Sequence, residues 1–337
     1  MIEPKTNQTS FFGDYIYDRI IPSNHFLKKL NIAIDFSFVN KLCKKLYADI
    51  GRPGILPEKM FKILLLQFLY DISDRRIIEE VRYNIVFKWF VGLEIDQEPP
   101  DSSSLTRFMD RLGPKKFAKI FNTIVNHARE NGLISDKLSI IDTTDVKAKV
   151  DTFRMKDKEP KDPDASSGYK TKNKPFFGYK SHASMDNDSN IVTKLDLTSG
   201  NVFDGTYFKE LVDNKSQTIT ADKAYDNNEN HTYLKKHNIK SAIIVKRNRI
   251  KKEIIKNSKL ISIQTSQRQR PNIERKFAEL KNLHGLSKAR YWGLSKVYIQ
   301  SCLSAIAVNI KRIVRLLFDI PLFNPIGLVS LFSSLIK

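Results

Sequence analysis

Three acidic side chains, remote from one another in the sequence, stand where a folded chain could bring them together. Asp142 ends the apolar run LSII and Asp222 ends QTITA, so each is expected at the end of a predicted strand. Glu274 lies in a predicted helix that Pro271 can begin, because the missing N–H of proline costs nothing in a first turn. Carboxylate oxygens are the ligands that Mg²⁺ and Mn²⁺ prefer. The three residues therefore form a candidate metal site.

A site of three carboxylates would suit metal-assisted chemistry on phosphodiester bonds. Carboxylates that share a site repel each other, so grouping them is costly unless cations compensate their charge. Two divalent ions can activate a water or a 3′-hydroxyl and stabilise the leaving oxygen of a phosphodiester. Taken singly, each carboxylate could equally be a turn former or a helix cap. Asp145 replaces Asp142 if the strand register differs, and Glu279 is expected to turn from Glu274 toward solvent. Two further aspartates lie close by in the sequence: Asp151 and Asp226.

The predicted helix around Glu274 carries cations on the same face. Lys281 follows Glu274 by seven positions and falls almost on its face, and Arg270 precedes it by one turn. An adjacent apolar stripe would pack this helix on a sheet and hold Glu274 in place. The stripe consists of Ile273, Phe277 and Leu280.

The elements that must position these residues change in type at about Lys137. Residues 15–135 show apolar positions at helical spacing, with Asp101 or a nearby Ser as the expected N-cap of one helix and Pro114 beginning another. Short β-branched runs then alternate with helical segments, in the order strand, strand, strand, helix, strand, helix, strand. The charged stretch 146–175 between the first two strands is expected to be a mobile loop.

This pattern predicts a mixed α/β fold, a sheet with flanking helices preceded by an all-helical N-terminal domain. The predicted division is a helical domain at 1–135 with a DNA-end-binding role, a catalytic domain at 136–316 and an apolar C-terminal tail at 317–337. Charged residues and prolines interrupt the tail before it reaches membrane-spanning length, so no membrane partner is expected.

The charge balance indicates a polyanionic partner. Lysine and arginine number 57 against 37 acidic residues, a net charge of +20, as is typical of nucleic-acid-binding proteins. Such cations neutralise phosphates and release counterions. The predicted DNA-binding residues are Arg270, Lys281, Lys180, Lys246, Arg247, Arg249 and Arg275.

Cysteine usage excludes two classes of protein. Cys43 and Cys302 are the only cysteines, too few for a disulfide scaffold or a cysteine-based zinc site. The N-terminus lacks the basic-then-apolar order of a signal peptide. A cytoplasmic location is therefore expected.

Several segments, in order, resemble the DDE transposases of bacterial insertion sequences, in the broad insertion-sequence four/five-like superfamily. The resemblance spans nearly all of residues 137–312, including IIDTTDVKAKVDTFR, ADKAYDNNENHTYLKKHNIKSAIIVKR and RPNIERKFAELKNLHGL. LPEKMFKILLLQFLYDISDRRIIEEV and PPDSSSLTRFMDRLG resemble the N-terminal domain of these proteins.

The resemblance implies a ribonuclease-H-like fold with Asp142, Asp222 and Glu274 as the catalytic triad, holding two Mg²⁺ or Mn²⁺ ions. It also implies metal-dependent cleavage at the ends of a mobile element and transfer of the 3′-hydroxyl into target DNA. The implied partners are double-stranded DNA, as terminal inverted repeats and as target, and a second copy of the chain. Arg270 and Lys281 match the family's spacing around the glutamate, whereas Gln267 stands where a tyrosine is usual. Two alternatives remain open: a catalytically silent DNA-binding relative, and a metal-dependent nuclease without a joining step.

Overall fold

The computed structural model describes residues 11–47, 54–150, 162–171, 174–246 and 264–318. Within them, helices come first and a mixed sheet follows, as the sequence predicts. The helices of the N-terminal part are α1 (Phe11–Ile20), α2 (Phe26–Ala33), α3 (Phe38–Cys43), α4 (Pro57–Leu69), α5 (Asp74–Tyr83), α6 (Ile85–Val91) and α7 (Ser102–Glu130).

The helix boundaries follow local signals in the sequence. Asp101 caps α7, because its carboxylate accepts a hydrogen bond of 3.2 Å from the N–H of Ser104, which confirms the expected N-cap. Gly113, with φ 65°, lies at a kink within α7, immediately before Pro114. The two helices expected on either side of this point are therefore present and joined end to end.

The sheet has the ribonuclease-H-like arrangement. β3 pairs antiparallel with β1 on one side and with β2 and β4 on the other, while β1 and β5, and β5 and β6, are parallel. The strand order β4-β3-β1-β5-β6 confirms the predicted fold class. The strands are β1 (Leu138–Lys147), β2 (Ser166–Thr171), β3 (Lys174–Asp186), β4 (Val192–Ser199), β5 (Thr218–Ala221) and β6 (Lys240–Ser241).

The sheet is flanked by helices that follow it or connect its strands. They are α8 (Phe208–Leu211), α9 (Asn228–Lys236), α10 (Pro271–Leu283) and α11 (Leu294–Phe318). Ile141 and its neighbours on one face of the sheet form a core cluster with α8 and α9. The opposite face contributes to a larger cluster that includes α10 and α11.

The stretch 146–175 differs from its prediction as a loop. β1 continues to Lys147, and Ser166–Thr171 forms β2, which pairs with the first half of β3. β2 lies at the sheet edge and is polar in sequence, as edge strands often are, so hydrophobic periodicity does not reveal it. Residues 151–161 of the same stretch lie outside the described residues.

Helix α11 joins the helical part of the chain to the sheet. It packs on α7, α4 and α2 and on β4, and most of its residues are buried. Within the described ranges, no helix is long and apolar enough to cross a bilayer. The division at 135 and 316 stays a prediction, and residues 319–337 of the predicted tail lie outside the described residues.

A partly buried ion-pair group also connects the two parts. Arg129, in the last turn of α7, contacts Asp136 at 2.9 Å and Asp213 at 2.7 Å. Asp136 lies two residues before β1 begins at Leu138, so this contact fixes the entry of the chain into the sheet.

Candidate active site

The first two acidic residues of the predicted triad leave the sheet at neighbouring positions. Ile141 of β1 pairs with Ala221 of β5 at the end of their parallel register, and Asp142 and Asp222 follow directly. Asp222 caps a 3-10 turn, where its carboxylate accepts a hydrogen bond of 2.7 Å from the N–H of Lys223. Parallel strands therefore bring the two carboxylates to one edge of the sheet.

Asp142 differs from Asp222 in one respect that the sequence did not predict. It lies inside β1 and pairs with Ala183 of β3, because the antiparallel ladder continues to Lys147 after the parallel ladder has ended. Asp142 is thus held by regular strand backbone, and its side chain is 16% exposed against 34% for that of Asp222.

The third carboxylate comes from α10, which begins at Pro271 as predicted. Ile273, Phe277 and Leu280 are buried in the same core as Ile140 of β1, which confirms the expected apolar stripe. Glu274 lies in the first turn of this helix, where the helix dipole favours a negative charge, and its side chain is 60% exposed.

Arg270 brings the three carboxylates into one group. One terminal nitrogen of its guanidinium lies 3.1 Å from Asp142 and 3.8 Å from Glu274, and the other lies 4.0 Å from Asp222. The Nε of Arg270 is buried and has no hydrogen-bond partner among the described residues. The structure therefore places the predicted residues around a single cation.

The charges in this group are unbalanced. Burial raises the pKa of the Asp142 carboxyl, and Arg270 opposes that shift. Burial disfavours the charged form of Arg270, yet Asp142 and Asp222 outweigh it and raise the pKa of the guanidinium. Three carboxylates thus share one positive partner at a partly exposed edge of the sheet.

The chemistry of this donor set fits divalent metal ions. Its oxygens are hard ligands with excess negative charge, and two of the three carboxylates are accessible from solvent. Over the described part of the chain, no three His, Cys, Asp or Glu side chains lie arranged to hold a metal ion together. In the triad, the guanidinium of Arg270 stands among the carboxylates instead.

The competing acidic residues are engaged elsewhere. Asp145 contacts Lys281 at 2.8 Å, and Asp226 accepts 2.8 Å and 2.9 Å hydrogen bonds from the Lys246 N–H and the His231 ring. Glu279 does not turn toward solvent as expected, because it is paired with Lys276 at 2.8 Å and its side chain is 28% exposed. Asp151 lies outside the described residues.

A buried polar network beneath Asp142 escaped the sequence analysis. The hydroxyl of Thr143 lies 2.8 Å from both the Nδ1 of His182 and the hydroxyl of Tyr225. The Nε2 of His182 lies 2.8 Å from the hydroxyl of Thr198. The network ties β1, β3, β4 and the turn after Asp222 together, and only the pairing of these three strands reveals it.

His182 is neutral in this network. Burial lowers its pKa to about 4, with Lys180 acting in the same direction and Asp204 opposing it. Burial also raises the pKa of Tyr225. The polar support of the triad is thus uncharged at neutral pH.

The predicted DNA-binding residues occupy different environments. Arg270 is at the triad, Lys281 is paired with Asp145, and Lys180 contacts Asp204 at 2.9 Å. Arg275 is exposed on α10, and Lys246 is half-buried after β6. Two members of the predicted set lie outside the described residues: Arg247 and Arg249.

Comparison with known proteins gives the family of the chain. Residues 135–310 match the transposase DDE domain family, and residues 15–111 match a transposase domain family, DUF772. A cryo-EM structure of a piggyBac transposase synaptic complex with hairpin DNA is similar at 12% identity with a TM-score of 0.44, over 92% of this chain and 80% of that chain.

The DDE domain match alone covers more than half of the 337 residues. The chain therefore belongs to the transposase DDE domain family. It is a DNA transposase, an enzyme that breaks and joins phosphodiester bonds.

Proposed function

We propose that Asp142, Asp222 and Glu274 are the catalytic residues of this transposase and hold two divalent ions, Mg²⁺ or Mn²⁺. The observation that carries the proposal is the convergence of all three carboxylates on the guanidinium of Arg270. When bound, the ions activate a water or a 3′-hydroxyl and stabilise the leaving oxygen.

Each residue contributes to the site through the element that holds it. Asp142 is fixed by strand backbone and by the neighbouring Thr143 network, so its carboxylate is the best-anchored donor. Glu274 sits on a helix whose apolar stripe locks its orientation. Arg270 binds the carboxylates in the metal-free protein, and its planar guanidinium suits a DNA phosphate when the metal ions take over their charge.

The proposed partner is double-stranded DNA, first as the terminal inverted repeats of the element and then as the target. The helical region 1–135 is proposed to bind the DNA ends. A homodimer on DNA is proposed because two ends must be handled together. The proposed set of DNA-binding residues is Arg270, Lys281, Lys180, Lys246, Arg247, Arg249 and Arg275.

We place this activity in the cytoplasm. Cys43 and Cys302 are both free and buried, which suits a compartment that keeps thiols reduced. The proposal rests on these two residues and on the DNA substrate.

A joining assay tests the proposed reaction. Pre-nicked end fragments, taken from the inverted repeats that flank the gene, are incubated with a supercoiled target and Mg²⁺ or Mn²⁺, with EDTA as control. Covalently joined product that depends on the metal is expected. Cleavage without joining would identify a nuclease instead, and DNA binding without any cleavage would identify a silent relative.

A further inference from the structure

A second charged region lies between α10 and α11. A cavity of about 480 Å³ opens there, and five cationic side chains line it with a single carboxylate, Glu279. We call it the basic groove. Its cationic residues are Arg275, Lys276, Lys311, Arg312 and Arg315.

The basic groove and the triad lie on opposite sides of α10. With 3.6 residues per turn, Lys276 is about 200° and Glu279 about 140° around the helix from Glu274. The apolar stripe of α10 faces the core and lies between the side that carries Glu274 and the side that lines the groove. The floor of the groove therefore faces away from Glu274.

The cations of the groove exceed what the protein itself can neutralise. Glu279 pairs with Lys276 at 2.8 Å and with Lys311 at 3.7 Å. Among the described residues, no carboxylate forms an ion pair with Arg312 or Arg315, and Arg312 instead donates to the carbonyl of Ser189 at 2.5 Å. The groove therefore carries a net positive charge that an external anion would balance.

Like charges crowd Lys276, which is buried, and Arg312, which is partly buried. Burial lowers the pKa of Lys276, Glu279 opposes this, and Arg312 and Lys311 add to the lowering. Burial also lowers the pKa of Arg312, and Arg315 acts in the same direction. Fixing several cations around one cavity is unfavourable by itself, and a ligand with several negative charges would make it favourable.

We propose that the basic groove binds the phosphate backbone of a second DNA segment, distinct from the strand that is cut at the triad. Five arginines and lysines spread over two neighbouring helices match the repeated phosphates of a duplex better than a single small anion. The inference rests on the proposed function, because it takes DNA as the substrate of this chain. It assigns to α10 the role of separating two DNA segments.

The test removes two groove cations that belong neither to the triad nor to the set of DNA-binding residues named under the proposed function. The double variant Lys311→Ala, Arg315→Ala lies wholly on α11. The matched control is Lys235→Ala, Lys236→Ala, which removes two exposed lysines from α9, away from the groove. Each protein is loaded with a short end duplex, and binding of a second labelled duplex is measured across a salt series.

The groove variant should bind the second duplex at least about tenfold more weakly, with a salt slope lower by roughly 0.9 for each phosphate that the variant no longer neutralises. The control variant should resemble the wild type, and cleavage of the end duplex should persist in both. Equal binding of the second duplex by the two variants would refute DNA binding at the basic groove, and the proposed function would be unaffected. A wild type that neither binds nor cuts the end duplex would refute the proposed function itself.

Two further measurements, a charge-reversal variant and an RNA competitor, complete the test. Arg315→Glu alone reverses the charge of an exposed residue, so it tests the groove even if the double variant unfolds. It should weaken binding of the second duplex more than Lys235→Glu does. Equal binding by these two variants would contradict DNA binding at the basic groove. Duplex RNA of equal length serves as competitor. If RNA displaces the second duplex more effectively than DNA, the assigned ligand class is wrong.

Discussion

The two sides of α10 carry opposite charges. On one side three carboxylates surround a single arginine, and on the other five cations surround a single carboxylate, Glu279. The buried stripe of Ile273, Phe277 and Leu280 holds the helix in place and leaves both remaining sides for charged residues. An excess of either sign weakens the fold, and we propose a partner of opposite charge for each side: metal ions at the triad and DNA phosphates at the basic groove.

The sharpest way to break this comparison is to remove the carboxylates. Asp142→Ala, Asp222→Ala and Glu274→Ala should each lower Mg²⁺-dependent DNA cleavage by about 1000-fold or more, because the stabilisation that bound metal gives the transition state is several kcal/mol. DNA binding, followed by gel shift, should persist. Asp145→Asn is the control, since Asp145 is paired with Lys281. Full cleavage by any of the three variants would remove that residue from the catalytic set.

The uncharged hydrogen-bond network of Thr143, His182 and Tyr225 should make the free energy of unfolding depend on pH. This effect is smaller than the loss of cleavage. The pKa of His182 is lowered from 6.5 to about 4 in the folded protein, so the unfolded chain binds a proton in this window and the folded chain does not. The contribution of His182 to stability is complete above pH 6.5 and is lost as the pH falls toward 4. Relative to His182→Gln, the wild type should lose up to about 3 kcal/mol across this range.

Urea unfolding of both proteins at several pH values measures that difference. His231→Gln serves as a matched control, because His231 is a partly exposed histidine that also bonds to a neighbouring side chain. Parallel pH curves for the wild type and His182→Gln would show that His182 is not held neutral.

Arg270 is the single cation that balances the carboxylates of the triad, so its removal tests the charge excess on this side of α10. Arg270→Leu leaves three carboxylates without their shared cation, so the metal-free protein should lose about 2 kcal/mol of unfolding free energy. This loss is smaller than that for a fully buried ion pair, because water partly screens the charges of this group. Mg²⁺ or Mn²⁺ should restore most of it. Arg275→Leu on the same helix is the control, since Arg275 is exposed and outside the triad. Unchanged stability of metal-free Arg270→Leu would mean that the carboxylates do not repel one another at this site.

Sequence reasoning reached the triad because its elements have strong local signals. Pro271 and the apolar spacing of α10 define the helix, and the two apolar runs before Asp142 and Asp222 define two strands that lead to these residues. The parallel pairing that brings the strand ends together is seen only in the structure. It placed Asp142 at a strand end because the residues after it are polar. The structure shows β1 continuing to Lys147, where pairing with β3 and not hydrophobicity keeps the chain extended.

Other features depend on contacts that no local pattern encodes. β2 is a polar edge strand, and the hydrogen bonds of Thr143 to His182 and Tyr225 require the strand register. The basic groove requires the packing of α11 beside α10, which brings Lys311 to Glu279 across 32 positions of sequence. The predicted DNA-binding residues include one cation of the basic groove, Arg275, but none of the other four.

The most direct test of the central claim locates the metal ions without relying on DNA cleavage. Fe²⁺ replaces Mg²⁺ in the full chain, and ascorbate with peroxide generates hydroxyl radicals that cut the backbone beside a bound ion. Chain breaks should appear next to Asp142, Asp222 and Glu274, excess Mg²⁺ should suppress them, and Asp222→Ala should remove them. Breaks elsewhere in the chain, or none at these three positions, would contradict the assignment of a divalent-metal site to the triad.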